Sequence, residues 1–372
     1  MQLEYINKNN EYKTIRDVLK KEFHIANRFI SKLKQEKAIL LNDEPMYIDK
    51  ELTLNDKITV NIDFEEERTE KIIPIKMDLV ILYEDESLLI VNKPPFMPVH
   101  PSSSHFTDTL SNGVQNYYDT IGLKHRVRIA NRLDKDTSGI VVFAKNAYVH
   151  ECLIEEMRKN IFHKEYIAIV DGIWERQSGT INVPISRKEG SIIERKVSEN
   201  GDIAITHFEK IKDFGNCSEM KFILETGRTH QIRVHCQYVG HPILGDTLYG
   251  KESKLINRQA LHAYKVNFIH PITKEKLEII APLPYDIKKA LASALSNFQW
   301  HKKSKSISRV LSWIAIYLEY MLPYTSSHLC ERRRAALTFL LRCCSKWGLH
   351  KMIYHYTTSE LLPHFFILTY FK

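Results

Sequence analysis

The chain has 372 residues, 44% of them apolar and 26% charged, the proportions of an ordinary globular protein with room for roughly two or three domains. Its formal net charge of +8 sits at one end: residues 301–372 carry eleven Lys and Arg against Glu319, Glu331 and Glu360. Residues 1–300 are therefore formally neutral, and global charge does not argue for a nucleic-acid partner. The opening MQLEYINKNNEYK has no secretory apolar core, and the six cysteines (152, 217, 236, 330, 343 and 344) lack zinc or redox spacing, so a reducing cytoplasm without disulfides is expected.

The first predicted elements lie in TIRDVLKKEFHIANRFISKLKQEK. Ile15, Val18, Leu19 and Phe23, then Ile25, Phe29, Ile30 and Leu33, recur at helical spacing and predict two short helices. AILLND and KITVNI predict strands, which completes a small module over residues 12–62. From Lys13 to Lys37 eight basic residues stand against three acidic ones. The run reads either as a solvated helical face or as a surface for RNA phosphates, with Lys20, Lys21, Arg28 and Lys32 as the candidates. The acidic stretch DFEEERTEK has no periodicity, so residues 63–77 are expected to be a linker.

A larger block follows, 78–297. DLVILYEDESLLIVNKP predicts two strands about an acidic turn, GIVVFAK a strand, and AYVHECLIEEMRKN an amphipathic helix. EYIAIVDG, AITHFEKIKDF, EMKFILET and ALHAYKVNFIH predict further strands. Strands outnumber helices and many are adjacent, which predicts an α+β fold with a mainly antiparallel mixed sheet. From 298 onward the composition changes: one glycine, no aspartate, three of the four tryptophans. VLSWIAIYLEYMLPY is interrupted by Glu319 and Pro323 before it could span a bilayer, so no membrane partner is expected. Residues 298–372 are taken as an atypical extension with no assigned function.

The chemistry concentrates in RIANRLDKDTSGIVVFAKN, residues 128–146. Asp134, Asp136, Ser138 and Gly139 fit the early positions of a calcium loop, but position twelve is Lys145, a cation where a carboxylate is needed. An aspartate-nucleophile phosphotransferase would carry its motif at the end of a buried strand, whereas here the apolar run follows the motif; that enzyme stays as an alternative. Arg126, Arg128 and Arg132 precede Asp134 and favour an ionised carboxylate, suited to act as nucleophile or ion-pair partner. The plain alternative is an aspartate that caps a turn.

A second cluster, ETGRTHQIRVHCQYVGHPILGDTLYG, holds Arg228, His230, Gln231, Arg233 and His235. The two histidines are five apart, which does not suit a zinc helix, and no metal is expected. Thr229 is expected to cap a helix that carries Gln231 and Arg233. Lys164 and Tyr166 alternate on a predicted strand and so share a face. Lys93 lies in the Pro-rich loop VNKPPFMPVHP. Taken singly, Lys164, Tyr166 and His207 read as ordinary sheet residues and Lys93 as a solvated loop lysine.

Together the pieces resemble one family. VNKPPFMPVHP (91–101), NRLDKDTSGIVVFAKN (131–146), KEYIAIVDG (164–172), AITHFE (204–209), TGRTHQIRVHCQYVGHPILGDTLYG (226–250) and LHAYKVNFIHP (261–271) resemble, in order and spacing, the RluA/RluD family of RNA pseudouridine synthases. The resemblance covers about 78–284. The N-terminal segment is similar to a small RNA-binding module that a ribosomal small-subunit protein shares with many RNA-modifying enzymes.

The resemblance implies an enzyme that detaches uracil from ribose, rotates it and rejoins it through carbon five, without metal or cofactor. It places Asp134 on the essential aspartate, Tyr166 on the aromatic beside the target base, and Arg228 on the arginine that pairs with the aspartate, with Arg233 close enough in sequence to compete. Arg132 falls on the residue that fills the RNA helix when the uridine leaves its stack; flipping is needed because a stacked base is out of reach. Lys93, Lys164 and Arg233 join the expected RNA contacts. Asn131 stands where the family often has His, and Phe96 where it commonly has Gly. The expected partner is RNA, ribosomal before transfer RNA, and a monomer is expected. The alternative outside enzymology is a non-catalytic RNA-binding or ribosome-assembly protein.

Overall fold

The structure, a computed structural model, describes residues 1–66 and 72–301; the expectations for the tail, and for the middle of the linker, lie outside these residues. The N-terminal module is a four-stranded antiparallel sheet in the order β1 (Gln2–Ile6), β4 (Lys57–Asn61), β2 (Ile39–Leu41), β3 (Glu44–Pro45). Strand β1 lies before residue 12, outside the bounds expected for the module. The first helical stretch is α1 (Ile15–Asp17), which widens into a π turn over Val18–Glu22; α2 is Asn27–Gln35. A capping box starts α1: Asp17 N donates to Thr14 Oγ1 at 3.3 Å and Thr14 N to Asp17 Oδ2 at 3.2 Å. All eight periodic apolar residues from Ile15 to Leu33 are buried.

The larger block is built on a ten-stranded sheet. Its strands are β5 (Ile81–Glu84), β6 (Leu88–Lys93), β7 (Arg128–Ile129), β8 (Ser138–Ala144), β9 (His163–Asp171), β10 (Ser178–Asn182), β13 (Ile205–Phe214), β14 (Cys217–Leu224), β15 (Leu261–Ile269) and β16 (Lys276–Ile280). The short pair β11 (Ile185–Arg187) and β12 (Arg195–Val197) stands apart. The order is β10-β13-β14-β9-β15-β8-β6-β5, with β16 beside β15 and β7 beside β8. Among the described strands, only β15 and β8 pair in parallel. The α+β class with a mainly antiparallel mixed sheet is therefore as expected.

Helices cover both faces. Along β8, Ile140, Val142 and Ala144 face one core with Tyr148, Val149 and Leu153 of α4 (Ala147–Arg158). Val141 and Phe143 face the other, with Leu110, Val114 and Tyr118 of α3 (Leu110–Thr120). All seven β8 residues are buried, which explains a continuous apolar run in place of alternation. Each buried Ile, Val or Phe side chain contributes about 1.5–3 kcal/mol. The N-terminal helices join the α4 core, and Tyr148 Oη donates to Phe23 O at 3.1 Å, so module and sheet are packed against each other. Two further helices, α5 (Gln231–Tyr238) and α6 (Tyr285–His301), complete the described chain.

The parallel seam is tight. Gly139 has φ +115°, and a Cβ there would lie 2.3 Å from Ala263 O. Only glycine allows β8 and β15 to approach at this point.

Candidate active site

Asp134 sits in the turn that enters β8 at this seam. Thr137 N closes the turn on Asp134 O at 3.1 Å. Two buried cations hold the turn from behind. Lys93 Nζ donates to Lys135 O (2.9 Å), Pro94 O (2.9 Å) and Met97 O (2.8 Å). Arg258 Nη1 donates to Asp136 O at 3.0 Å, and its guanidinium is fixed by Asp286 at 2.6 and 3.0 Å. Burial, then the charge of Arg258, pulls the Lys93 ammonium down to about 7. Lys93 is thus no RNA contact, contrary to expectation: it is fully buried, and three carbonyls use its donors. Arg258 carried no recognisable spacing in the sequence.

The turn opens into a cavity of about 780 Å³, lined among others by Arg132, Asp134, Lys164, Tyr166, Arg228 and Arg233. Lys164 and Tyr166 reach it from one face of β9, as strand alternation requires. Burial, then the nearby Asp134 charge, raises the Tyr166 phenol well above its ordinary range. Burial lowers the Lys164 ammonium. Arg132 is exposed at the rim.

The guanidinium on Asp134 belongs to Arg233. Its Nη1 donates to Asp134 Oδ2 at 3.1 Å, while Nε and Nη2 fork onto Asp246 at 2.7 and 2.9 Å. Burial opposes the Arg233 charge, but the Asp246 bond and the two carboxylates outweigh it and raise its pKa. Arg228 does not pair with Asp134. Its Nε donates to Ile203 O at 3.0 Å, and Nη1 lies 3.7 Å from Asp202. The reason is helix phase: α5 starts at Gln231, so Arg233 lies in its first turn, whereas Arg228 lies in the loop before it. The cap is also displaced from Thr229 to His230, which takes a left-handed φ of 57°.

Asp246 and Tyr249 lie in the second motif without a spacing that marks them, and His230 was weighed there only as a zinc ligand. Asp246 is fully buried and also accepts Leu248 N and Tyr249 N, both at 3.1 Å. The Arg233 guanidinium stacks over the Tyr249 ring, 5.0 Å from its centroid. Tyr249 Oη accepts Arg195 N at 2.8 Å and lies 2.9 Å from His230 Nδ1. The other ring nitrogen, Nε2, lies 3.8 Å from Asp134 Oδ2. Burial lowers the His230 pKa and keeps the ring neutral, against the pull of Asp134. Asp134 Oδ2 is thereby held, and Oδ1 has no hydrogen-bond partner among the described residues.

The two departures from the family pattern have local accounts. Asn131 clamps β8, donating to Ile140 O at 3.0 Å and accepting Val142 N at 2.8 Å, so it supports the strand. Phe96 keeps a left-handed φ of 63°, the conformation glycine favours.

The basic module residues divide. Lys32 is engaged by Glu66 at 2.7 Å and lies over Phe64, and Lys21 by Asp17 at 2.9 Å, so neither presents an unopposed charge. Lys20 is half-buried and Arg28 exposed.

Known proteins resemble this chain in sequence. A family described as RNA pseudouridylate synthase matches residues 87–238, and one described as the RluD ribosomal pseudouridine synthase N-terminal domain matches residues 3–58. The chain is 39% identical over 271 residues to the uncharacterized RNA pseudouridine synthase YjbO of Bacillus subtilis, covering 73% of this chain and 95% of that protein. It is 41% identical over 266 residues to YhcT of the same organism, also named an uncharacterized RNA pseudouridine synthase, covering 69% and 88%. To ribosomal large subunit pseudouridine synthase D of Escherichia coli K12 it is 33% identical over 282 residues, covering 72% and 86%. With Asp134 at the mouth of a buried strand, Arg233 upon it and Tyr166 in the same cavity, the chain belongs to the RNA pseudouridine synthase family.

Proposed function

We propose that the substrate is a uridine in structured ribosomal RNA, with large-subunit RNA first and transfer RNA second. The observation that carries the reading is the state of Asp134: it lines a cavity of about 780 Å³, with Oδ2 held by Arg233 and no hydrogen-bond partner on Oδ1 among the described residues. The relative from E. coli is named for the large ribosomal subunit, and the N-terminal match is to a ribosomal synthase domain, which favours ribosomal RNA. We place the enzyme in the cytoplasm as a monomer; among the described residues no helix is long and apolar enough to cross a membrane.

The chemistry is the one the family resemblance implies, and the cavity residues are assigned their roles in it. The uridine leaves its stack, a step that costs a few kcal/mol, and exposed Arg132 fills the gap it leaves. Asp134 Oδ1 acts on the nucleoside, at the sugar or the base. The bond from N1 to C1′ breaks, the uracil turns, and C5 bonds to C1′. C5 loses its proton and N1 gains one, so the reaction is an isomerisation. Tyr166, kept protonated by burial and by Asp134, packs against the base while it turns. Arg233 fixes the carboxylate, and Lys164 and Arg228 lie on the cavity wall where backbone charge arrives.

The test is tritium release from RNA labelled at carbon five of uracil, with ribosomal and transfer RNA transcripts in parallel and chelator present. Release from large-subunit RNA, abolished by Asp134→Asn, is expected. Release from transfer RNA alone would move the substrate. RNA binding without release from either would leave a non-catalytic binder.

A further inference from the structure

A second cavity, of about 330 Å³, lies where α2 of the N-terminal module meets β7 and α4. Arg28, Lys32, Arg126 and Arg128 line it, with Glu66 and Glu151 as its acids. Glu66 comes from the linker and is held by one cation from each side. Its Oε1 lies 2.7 Å from Lys32 Nζ and 2.7 Å from Arg128 Nη2, and its Oε2 lies 2.6 Å from the same Nη2. Burial opposes its charge, but the Lys32 bond and Arg128 outweigh that and lower its pKa. Glu151 is a weaker counter-charge: burial raises its pKa, and its buried Oε2 has no hydrogen-bond partner among the described residues. Four cations thus surround one firmly ionised carboxylate.

Two oxygens shared between an ammonium and a guanidinium also describe how a phosphodiester would be gripped. The cleft adjoins the catalytic cavity as well. Along one face of α4, Glu151 lines the one and Ile154, three residues on, lines the other. His150 of α4, in the cleft wall, lies 3.2 Å from Ile129 O and braces the strand between them.

We propose that this cleft seats a backbone phosphate of the RNA flanking the target uridine, and that Glu66 is a built-in occupant which the RNA displaces. The proposal rests on the RNA reading above. Glu66 keeps the cations gathered before RNA arrives, so filling the seat requires little rearrangement of Lys32 and Arg128. It also sets a threshold, because an RNA that cannot reach the cleft leaves the carboxylate in place.

The experiment is fluorescence anisotropy on the full chain with a labelled hairpin transcript of large-subunit RNA, between about 50 and 200 mM salt. Arg28→Gln and Arg128→Gln are each expected to weaken binding and to reduce the log–log salt slope by about one. Glu66→Gln keeps the shape and removes the competitor, and is expected to tighten binding roughly twofold to fivefold at low salt. Each variant is melted first, because Glu66 also fastens the module. A stably folded Glu66→Gln protein that binds no tighter overturns the proposal. Should that variant fail to fold, exposed Arg28 decides: an unchanged slope in Arg28→Gln overturns it. Absent tritium release by the unaltered chain would sink the isomerase reading, whereas release with unchanged slopes would sink the cleft alone.

Discussion

Arg233 joins two carboxylates with different work, and a pair of substitutions separates them. Arg233→Met leaves Asp246 fully buried, with the amides of Leu248 and Tyr249 but without its two guanidinium bonds of 2.7 and 2.9 Å. An uncompensated buried charge of this kind costs about 3–5 kcal/mol. The two retained amides place the expected loss near the lower end, about 3 kcal/mol. Adding Asp246→Asn removes the charge while its amide oxygen still accepts both backbone N–H groups. The double variant should recover all but about 1 kcal/mol, a gain of about 2 kcal/mol over Arg233→Met read from urea midpoints. Turnover should not recover. Asp134 Oδ2 has lost its 3.1 Å bond in both variants, and a carboxylate free to swing forfeits about a hundredfold in kcat. A double variant that regains kcat together with stability would refute the argument, since Arg233 would then serve Asp134 only by keeping the protein folded. A single variant costing under about 1 kcal/mol would refute the part about Asp246.

Lys93→Met deprives three carbonyls of their donor and should cost about 2–4 kcal/mol and lower kcat, with RNA affinity unchanged; an affinity loss at unchanged stability would return Lys93 to the RNA surface. His262 is fully buried between Ser138 Oγ (2.9 Å) and Ala281 O (3.3 Å), and burial, which outweighs the backbone bond, pulls its pKa down to about 4. The unfolded chain takes up that proton near 6.5 and the folded chain refuses it until about 4, so stability falls as pH drops through this window. The full loss is roughly 3 kcal/mol, and His262→Asn should lessen the acid dependence of the urea midpoint by that amount; an unaltered dependence would exclude His262 as its source. Gly139→Ala places a methyl 2.3 Å from Ala263 O at φ +115° and should cost about 3 kcal/mol or more, with kcat lost because β8 and β15 part at the site; a soluble variant of unchanged Tm would contradict the tight seam.

What was legible in the sequence was decided locally. The run of apolar residues from Ile15 to Leu33 could be buried only on one helical face, and it is. The GIVVF run needed cover on both sides, and α3 and α4 provide it. Asp134 and the alternation of Lys164 with Tyr166 could be placed because a turn and a strand fix direction over a few residues. What escaped depended on partners far along the chain. Lys93 was expected among the RNA contacts because nothing near it shows that Lys135, forty-two residues on, brings a carbonyl to its ammonium. Arg258 reaches the same turn from 122 residues away. The choice between Arg228 and Arg233 turned on where α5 begins, and the boundary is set by a left-handed His230 that no spacing announces.

These misses share a physical cause, and it bears on why the site is where it is. A turn carrying a reactive carboxylate must be rigid, yet its backbone carbonyls cannot all point into strand pairing. At the parallel seam, β8 and β15 are joined at His262–Ser138 and Ala263–Gly139, so the carbonyls of Lys135 and Asp136 lie beyond the ladder. Buried carbonyls without partners would cost about 1–3 kcal/mol each. Lys93 and Arg258 fill that need from opposite sides, and each is a cation that the turn removes from the surface. With two positive side chains behind the turn and Arg233 beside it, Asp134 is bonded at Oδ2 and has no hydrogen-bond partner at Oδ1 among the described residues. The positive charge near Asp134 thus has two separate uses. Lys93 and Arg258 act on the backbone of the turn, and Arg233 acts on the carboxylate itself. Sequence proximity cannot distinguish these uses, because both appear as basic residues near a motif; the direction of each donor distinguishes them.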